Sequence, residues 1–162
     1  MPFFVYGTLR PGERNHDAFL RGRTRCAQPA RLTGAVLYDG PGHPYAVEEP
    51  GGMVRGELLT AAPREYGELL IALDRLEGYA AGDPGSLYER VEREVVRETD
   101  GARVRAWVYV AGASVTARLR ERGRRIEGGD WPARNRTGRT GPTPPPAPPS
   151  VTARPPAAPR TP

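Results

Sequence analysis

One acidic residue falls where an apolar one is expected. Between Pro63 and Glu77 the side chains Tyr66, Leu69, Leu70, Leu73 and Leu76 recur at helical spacing. At 3.6 residues per turn, Glu77 stands about 20° from Leu70, inside that apolar face. Burying an ionised carboxylate is costly, and the last turn of a helix repels negative charge. Both effects raise a carboxyl pKa toward neutrality. A carboxyl poised there can take a proton and return it, as general acid–base catalysis near pH 7 requires. The competing reading leaves Glu77 at a frayed helix end, pointing into water. Asp74, three residues earlier, sits on the flank of the face and reads as a solvated charge. Glycosidases use two carboxyls, but a pair on adjacent turns of one helix would be an unusual way to build such a site.

A second chemical signal lies near the N-terminus. The apolar run Phe3–Tyr6 ends in the turn-rich segment Gly7-Thr8-Leu9-Arg10-Pro11-Gly12. A strand that enters a glycine turn before a helix presents backbone N–H groups, and these can hold a carboxylate or an oxyanion. Arg10 follows the loop and could attract an anionic substrate; a solvated charge is the alternative. Neither a G-x-G-x-x-G nor a Walker sequence is present, so nucleotide binding has no support. One Cys (Cys26) and two His (His16 and His43) exclude an intrachain disulfide and disfavour a zinc site. Cys26 reads as a strand or core residue.

The elements that must position these groups follow from the pattern. Phe3–Tyr6 reads as a buried strand, and Asn15 as the cap of a short helix through Leu20. Arg31–Tyr38 is a strand that stops at Asp39-Gly40, with a loop over residues 39–44. Met53–Leu59 alternates after Pro50-Gly51-Gly52, which predicts a hairpin there. The main helix spans Pro63–Glu77, with Pro63 in its first turn and Gly78 at the left-handed position after its end. Ala80–Ser86 is a loop. Tyr88–Arg97 and Val104–Val110 are strands joined through Thr99-Asp100-Gly101. Val115, Leu119 and Ile126 predict a last helix. Strands, one main helix, then strands argue an α+β fold with a largely antiparallel sheet or small barrel.

Composition narrows the function. The chain has 162 residues and a formal charge of +5. Residues 132–162 hold eleven Pro and five Arg with no acidic residue, so residues 1–131 are formally neutral. The basic balance therefore belongs to the tail and gives little support to nucleic acid as a specific partner. All basic residues are Arg; there is no Lys. No run reaches the ~18 apolar residues of a membrane helix, and the N-terminus lacks a signal-peptide pattern. A cytoplasmic protein is expected, with a domain over 1–131 and a Pro/Arg-rich disordered tail over 132–162. Arg139, Pro142 and Pro145 match an SH3-ligand spacing, which arises easily by chance in such sequence.

Read together, FVYGTLRPGERNH (Phe4–His16), LDRLEGY (Leu73–Tyr79), LYER (Leu87–Arg90) and AWVYV (Ala106–Val110) resemble the gamma-glutamylcyclotransferase-like proteins. The resemblance includes the gamma-glutamylamine cyclotransferase and antibiotic deglutamylase branches. The intervening GAVLYDGPGHPYAV and GGMVRGELL blocks follow in the same order, and Gly129-Asp130-Trp131 closes a similarity over residues 2–131. The resemblance implies a small mixed barrel with flanking helices and no metal or nucleotide cofactor. It implies that Glu77 is the catalytic acid/base and that Tyr6, Gly7, Thr8 and Leu9 bind substrate. The implied substrate is a small gamma-glutamyl amide whose own α-amine closes the ring to 5-oxoproline. Tyr88, Arg90 and Tyr109 are further candidates for the pocket wall, against sheet packing for the tyrosines and a surface salt bridge for Arg90. The Ala80–Ser86 loop is longer and richer in Gly than the family pattern, which puts the leaving amine in doubt if the loop covers the pocket. A non-catalytic binding module of the same fold, and an interaction protein acting through its tail, are the alternatives.

Overall fold

The computed structural model describes residues 1–131. The expected tail and its Arg139–Pro145 spacing lie outside the described residues. Five strands close into a barrel: β1 (Phe3–Val5), β2 (Thr24–Asp39), β3 (Pro44–Ala61), β4 (Tyr88–Arg97) and β5 (Arg103–Ala111). Their spatial order is β1-β3-β2-β4-β5. Every pairing is antiparallel except β1 with β5, which is parallel and closes the ring. Three helices flank it: α1 (His16–Phe19), α2 (Tyr66–Leu76) and α3 (Ala113–Arg122). The α+β, largely antiparallel barrel expected from the pattern is the observed architecture.

Strand alternation divides the side chains into two apolar sets. Phe4, Leu32, Val54, Leu58, Val95 and Val108 come from all five strands and pack with one another inside the barrel. Phe3, Val5 and Leu59 face outward and pack against Leu69 and Leu73 of α2 and Val115 and Leu119 of α3. β1 has only three residues, yet all are buried because it has a neighbour on each edge and an apolar layer on each face.

Two expectations fail here for one reason each. Pro50-Gly51-Gly52 is not a hairpin turn. The residues on both sides of it pair with the same strand, Pro44–Glu48 with Ala35–Asp39 and Met53–Ala61 with Thr24–Thr33. The triplet bulges out of a long bent strand opposite the irregularity at Thr33–Ala35. The hairpin turn is the segment between β2 and β3, residues 40–43. The last helix stops at Arg122. Ile126 instead donates its N–H to the Leu37 carbonyl and joins the barrel-interior cluster with Trp131.

Gly56 shows how tightly the barrel closes. A Cβ there would stand 2.2 Å from the Val5 carbonyl oxygen and 2.9 Å from the Phe4 ring. Gly56→Ala is therefore expected to destabilise the chain by about 3 kcal/mol in urea unfolding, as overpacking against backbone does. Gly67→Ala, on α2 where a Cβ meets nothing, is expected to be neutral or to stabilise by up to ~1 kcal/mol. Equal effects of the two substitutions would contradict the closure.

Candidate active site

Leu69, Leu73 and Glu77 lie four residues apart, so they form one row along α2. Leu69 and Leu73 are fully buried. The same row carries Glu77 past the last helical turn to the end of the barrel. Glu77 caps α2, with its N–H on the Leu73 carbonyl at 2.9 Å, and Gly78 then turns the chain at φ +61° as expected. The helix begins at Tyr66 rather than Pro63; Pro63 lies in the preceding turn closed by Glu65 N–H on Ala62.

Glu77 faces a small cavity that is partly open to solvent. Its floor is the chain from Phe4 to Leu9, which leaves β1 and crosses the barrel end. His43, Pro44, Tyr88 and Tyr109 complete its wall. The cavity thus brings together Tyr6, Gly7, Thr8, Leu9 and Glu77, all five residues singled out from the sequence, with Tyr88 and Tyr109. Among the described residues the Glu77 carboxyl has no hydrogen-bond or ion-pair partner. Burial pushes its pKa up to about 7. Burial also raises the phenols of Tyr6, Tyr88 and Tyr109, and the Glu77 charge pushes each further. They remain neutral and offer no cation to hold the carboxylate ionised.

The loop after β1 is shaped by its carbonyls. The Gly7 carbonyl accepts from Arg10 N–H at 3.1 Å, and the Thr8 carbonyl from Asn15 N–H at 3.0 Å. No hydrogen bond within the described residues uses the N–H groups of Gly7, Thr8 or Leu9. Gly7 has no room for a side chain, since a Cβ would stand 2.8 Å from the Pro44 ring. Asn15 precedes α1 as expected but does not cap it. Its side chain turns back to donate to Thr8 Oγ1 at 3.0 Å, which ties the loop to the cavity floor. Tyr6 donates to the Tyr109 carbonyl at 2.6 Å and accepts from Ala46 N–H at 3.3 Å.

Other candidates have structural duties. Arg10 grips Glu57 through Nε and Nη2 at 2.6 and 2.8 Å and reaches Asp130 at 2.6 Å through Nη1. It is committed to this clamp, so the expectation that it attracts a substrate anion is corrected. Asp74 is not a solvated charge. It accepts from Arg90 at 2.6 Å and from the Tyr109 hydroxyl at 2.7 Å. The Arg90 guanidinium lies between the Tyr79 and Trp107 rings, 5.3 and 4.8 Å from their centroids, and does not reach the cavity. Ser86 bonds the backbone of Ala80 in both directions, so the loop folds on itself and lines neither cavity at Glu77. Cys26 is exposed on β2.

Sequence reasoning missed His43 as a wall residue. Tyr88 donates its one hydroxyl proton to the Pro44 carbonyl at 2.8 Å, so the 2.9 Å contact with His43 Nδ1 needs the proton on Nδ1. Burial, and then the charge of Arg14, lowers the His43 pKa. The ring is thus neutral, with Nε2 bare. The only signal in the sequence is its place in DGPGHPY, the segment that forms the turn between β2 and β3. Among the described residues no group of three or more His, Cys, Asp and Glu could hold a metal ion. None of their helices is long and apolar enough to cross a membrane.

A closed five-stranded mixed barrel with a half-buried, unpartnered glutamate at the end of its main helix defines the class. Residues 3–133 match the family described as gamma-glutamyl cyclotransferase, AIG2-like, and the chain belongs to that family. It is similar to the gamma-L-glutamyl-butirosin B gamma-glutamyl cyclotransferase of Niallia circulans, with 35% identity over 108 residues. That alignment covers 66% of this chain and 64% of the relative's length. An Arabidopsis thaliana protein solved in solution is 27% identical with a TM-score of 0.60, over 85% of this chain and 75% of the other. An uncharacterized Pyrococcus horikoshii protein shares the fold at 24% identity and a TM-score of 0.58, over 85% of this chain and 95% of its own.

The raised pKa of Glu77 has a consequence for stability. The native state holds a proton on Glu77 up to about pH 7, whereas an unfolded glutamate releases it near pH 4.3. The stabilisation is complete at low pH and is lost as pH rises through about 7. Glu77→Gln removes this slope. Relative to the wild type, the variant is expected to gain on the order of 3 kcal/mol between pH 4 and pH 8 in urea unfolding. An unchanged difference would mean an ordinary, solvated carboxylate.

Proposed function

We propose that the chain cyclises gamma-glutamyl amides to 5-oxoproline and releases the amine, with Glu77 as general base and then general acid. The observation that carries this reading is the unpartnered, half-buried Glu77 carboxyl in one cavity with Gly7–Leu9, whose N–H groups have no hydrogen-bond partner among the described residues. The substrate supplies its own nucleophile. Its α-amine attacks the γ-carbonyl carbon, a C–N bond forms, and the bond from that carbon to the leaving nitrogen breaks.

The proton count closes. The substrate ammonium has three protons and the lactam nitrogen keeps one. Glu77 takes one of the two released and delivers it to the leaving nitrogen; the other goes to solvent, from which the free amine takes its last proton. A carboxyl with a pKa of about 7 is suited to both transfers. In this reading Gly7, Thr8 and Leu9 bind the substrate carboxylate or the developing oxyanion through backbone N–H groups. Tyr6 sets the floor, bridging Ala46 and Tyr109. Holding the folded substrate in place contributes the rest, an orientation effect worth several kcal/mol.

The test is 5-oxoproline release from gamma-glutamyl amides, with Glu77→Gln alongside. The variant is expected to lose about 10²–10⁴-fold in kcat, the usual contribution of acid–base catalysis. The wild-type kcat should fall below about pH 7, where Glu77 is protonated and cannot accept the first proton. Release by both proteins at equal rates would remove Glu77 from the mechanism. No release from any amide would favour the binding-module reading.

A further inference from the structure

Three phenols line the cavity with Glu77, and a phenol has one O–H proton to give. Tyr6 donates its proton to the Tyr109 carbonyl at 2.6 Å. Tyr88 donates to the Pro44 carbonyl at 2.8 Å. Tyr109 donates to Asp74 Oδ1 at 2.7 Å. None of the three protons goes to Glu77. A hydroxyl that donated to the Glu77 carboxylate would favour its ionised form and weaken it as a proton acceptor. Two of the three acceptors are backbone carbonyls, set by the fold. The third is a side chain, which a substitution can remove.

Asp74 is a costly place for a carboxylate. It lies in the last turn of α2, where the helix dipole disfavours negative charge. It precedes Glu77 by three residues, and side chains at that spacing are neighbours, about 5–6 Å apart at Cβ. A hydroxyl bonded to Asp74 is therefore a short swing from Glu77, and the Glu77 charge already acts on Tyr109. Arg90 holds the second Asp74 oxygen at 2.6 Å, which fixes the carboxylate between β4 and β5. The rings of Tyr79 and Trp107 hold Arg90 in turn, and Trp107 donates from Nε1 to the Tyr66 hydroxyl at 3.0 Å. Around Asp74 stand Arg90 and Tyr109, with Tyr79 against both. Around Glu77 stand Tyr6, His43, Tyr88 and Tyr109, with Arg14 lining a second cavity at the same carboxyl and Tyr45 stacked on Tyr88. Of these groups, Tyr109 is the one that bonds the side chain beside Glu77.

We propose that Asp74 is a positioning residue for Glu77: by accepting the Tyr109 proton it keeps that hydroxyl off the carboxyl and leaves Glu77 free to exchange protons with a substrate. The exchange with substrate rests on the proposed cyclotransferase reading; the placing of the hydroxyl does not. Without Asp74, the nearest carboxylate to the Tyr109 hydroxyl is Glu77, and the phenol turns to it.

The experiment follows the titration of the Glu77 carboxyl by NMR in the full chain, its resonance assigned by its loss in Glu77→Gln. The wild-type midpoint is expected at about pH 7. Asp74→Ala is expected to lower it by about one pH unit, the scale of one hydrogen bond to the charged form. Adding Tyr109→Phe to Asp74→Ala is expected to restore it, because the ring stays and only the hydroxyl is lost. Tyr109→Phe alone is expected to leave the midpoint in place, and it tests the idea even where Asp74→Ala does not fold. The acid limb of kcat for 5-oxoproline release should move with the midpoint in each variant. A midpoint that Asp74→Ala does not move would overturn the role of Asp74. So would a fall that Tyr109→Phe fails to reverse, which would point to a released Arg90 instead. A rise on Tyr109→Phe alone would place the hydroxyl on Glu77 in the wild type, with the same result. No 5-oxoproline from the wild type would overturn the cyclotransferase reading, and the titration would still decide whether Asp74 holds the hydroxyl away.

Discussion

A half-buried carboxyl group with no hydrogen-bond or ion-pair partner among the described residues is the constraint around which this chain is arranged. Unpaired burial is the costly way to place a glutamate. Here it follows from a row of positions on one helix. Leu69 and Leu73 anchor α2 to the barrel wall, and the next position in the row reaches the barrel end. The surrounding polar groups are phenols, which stay neutral, and a histidine whose pKa is lowered. Nothing in this shell lowers the carboxyl pKa, so it stays at about 7.

The nearby arginines make the same point from the other side. A guanidinium in contact with the carboxyl would hold Glu77 ionised and spoil it as a proton donor. Arg90 approaches from β4, but Asp74 and the Tyr79 and Trp107 rings hold it. Arg10 leaves the cavity floor and is gripped by Glu57 and Asp130. Each clamp also builds structure. Arg10 ties the loop after β1 to β3 and to the Gly129-Asp130-Trp131 segment, whose Trp131 plugs the barrel interior. Asp74 fixes the Tyr109 hydroxyl. The acidic residues beside the site thus hold Arg10 and Arg90 away from Glu77.

How far the sequence discloses this depends on the range of each interaction. Glu77 was legible because a helical period is local and one acidic residue breaks it. β4 and β5 were legible for a similar reason, since simple alternation survives in them. The course of β2 and β3 was not. Their bulge places Leu32 and Ala35 on the same face, which no period of two describes. The misplaced hairpin then hid His43, which reaches the site only through the true turn. Arg10 and Asp74 were misread because their partners lie 47 and 120 residues away for the first and 16 and 35 for the second. A charge looks solvated in sequence until the fold brings its partner to it.

The division of labour around Glu77 separates chemistry from selectivity on the proposed reading. The cavity shared with Gly7–Leu9 offers backbone N–H groups and a neutral aromatic wall. These depend on the path of the chain after β1 and on Tyr6 and Tyr109, which are also bonded into the barrel. A change there disturbs the fold as well as the site. A second cavity at Glu77 is lined by Arg14, Leu76 and Leu87, and Arg14 stands on the loop that Arg10 ties to β3. A substrate that carries its own nucleophile needs only one proton carrier and a fixed fold of its chain from the enzyme. The rest of the surface at Glu77 is then available to recognise what leaves.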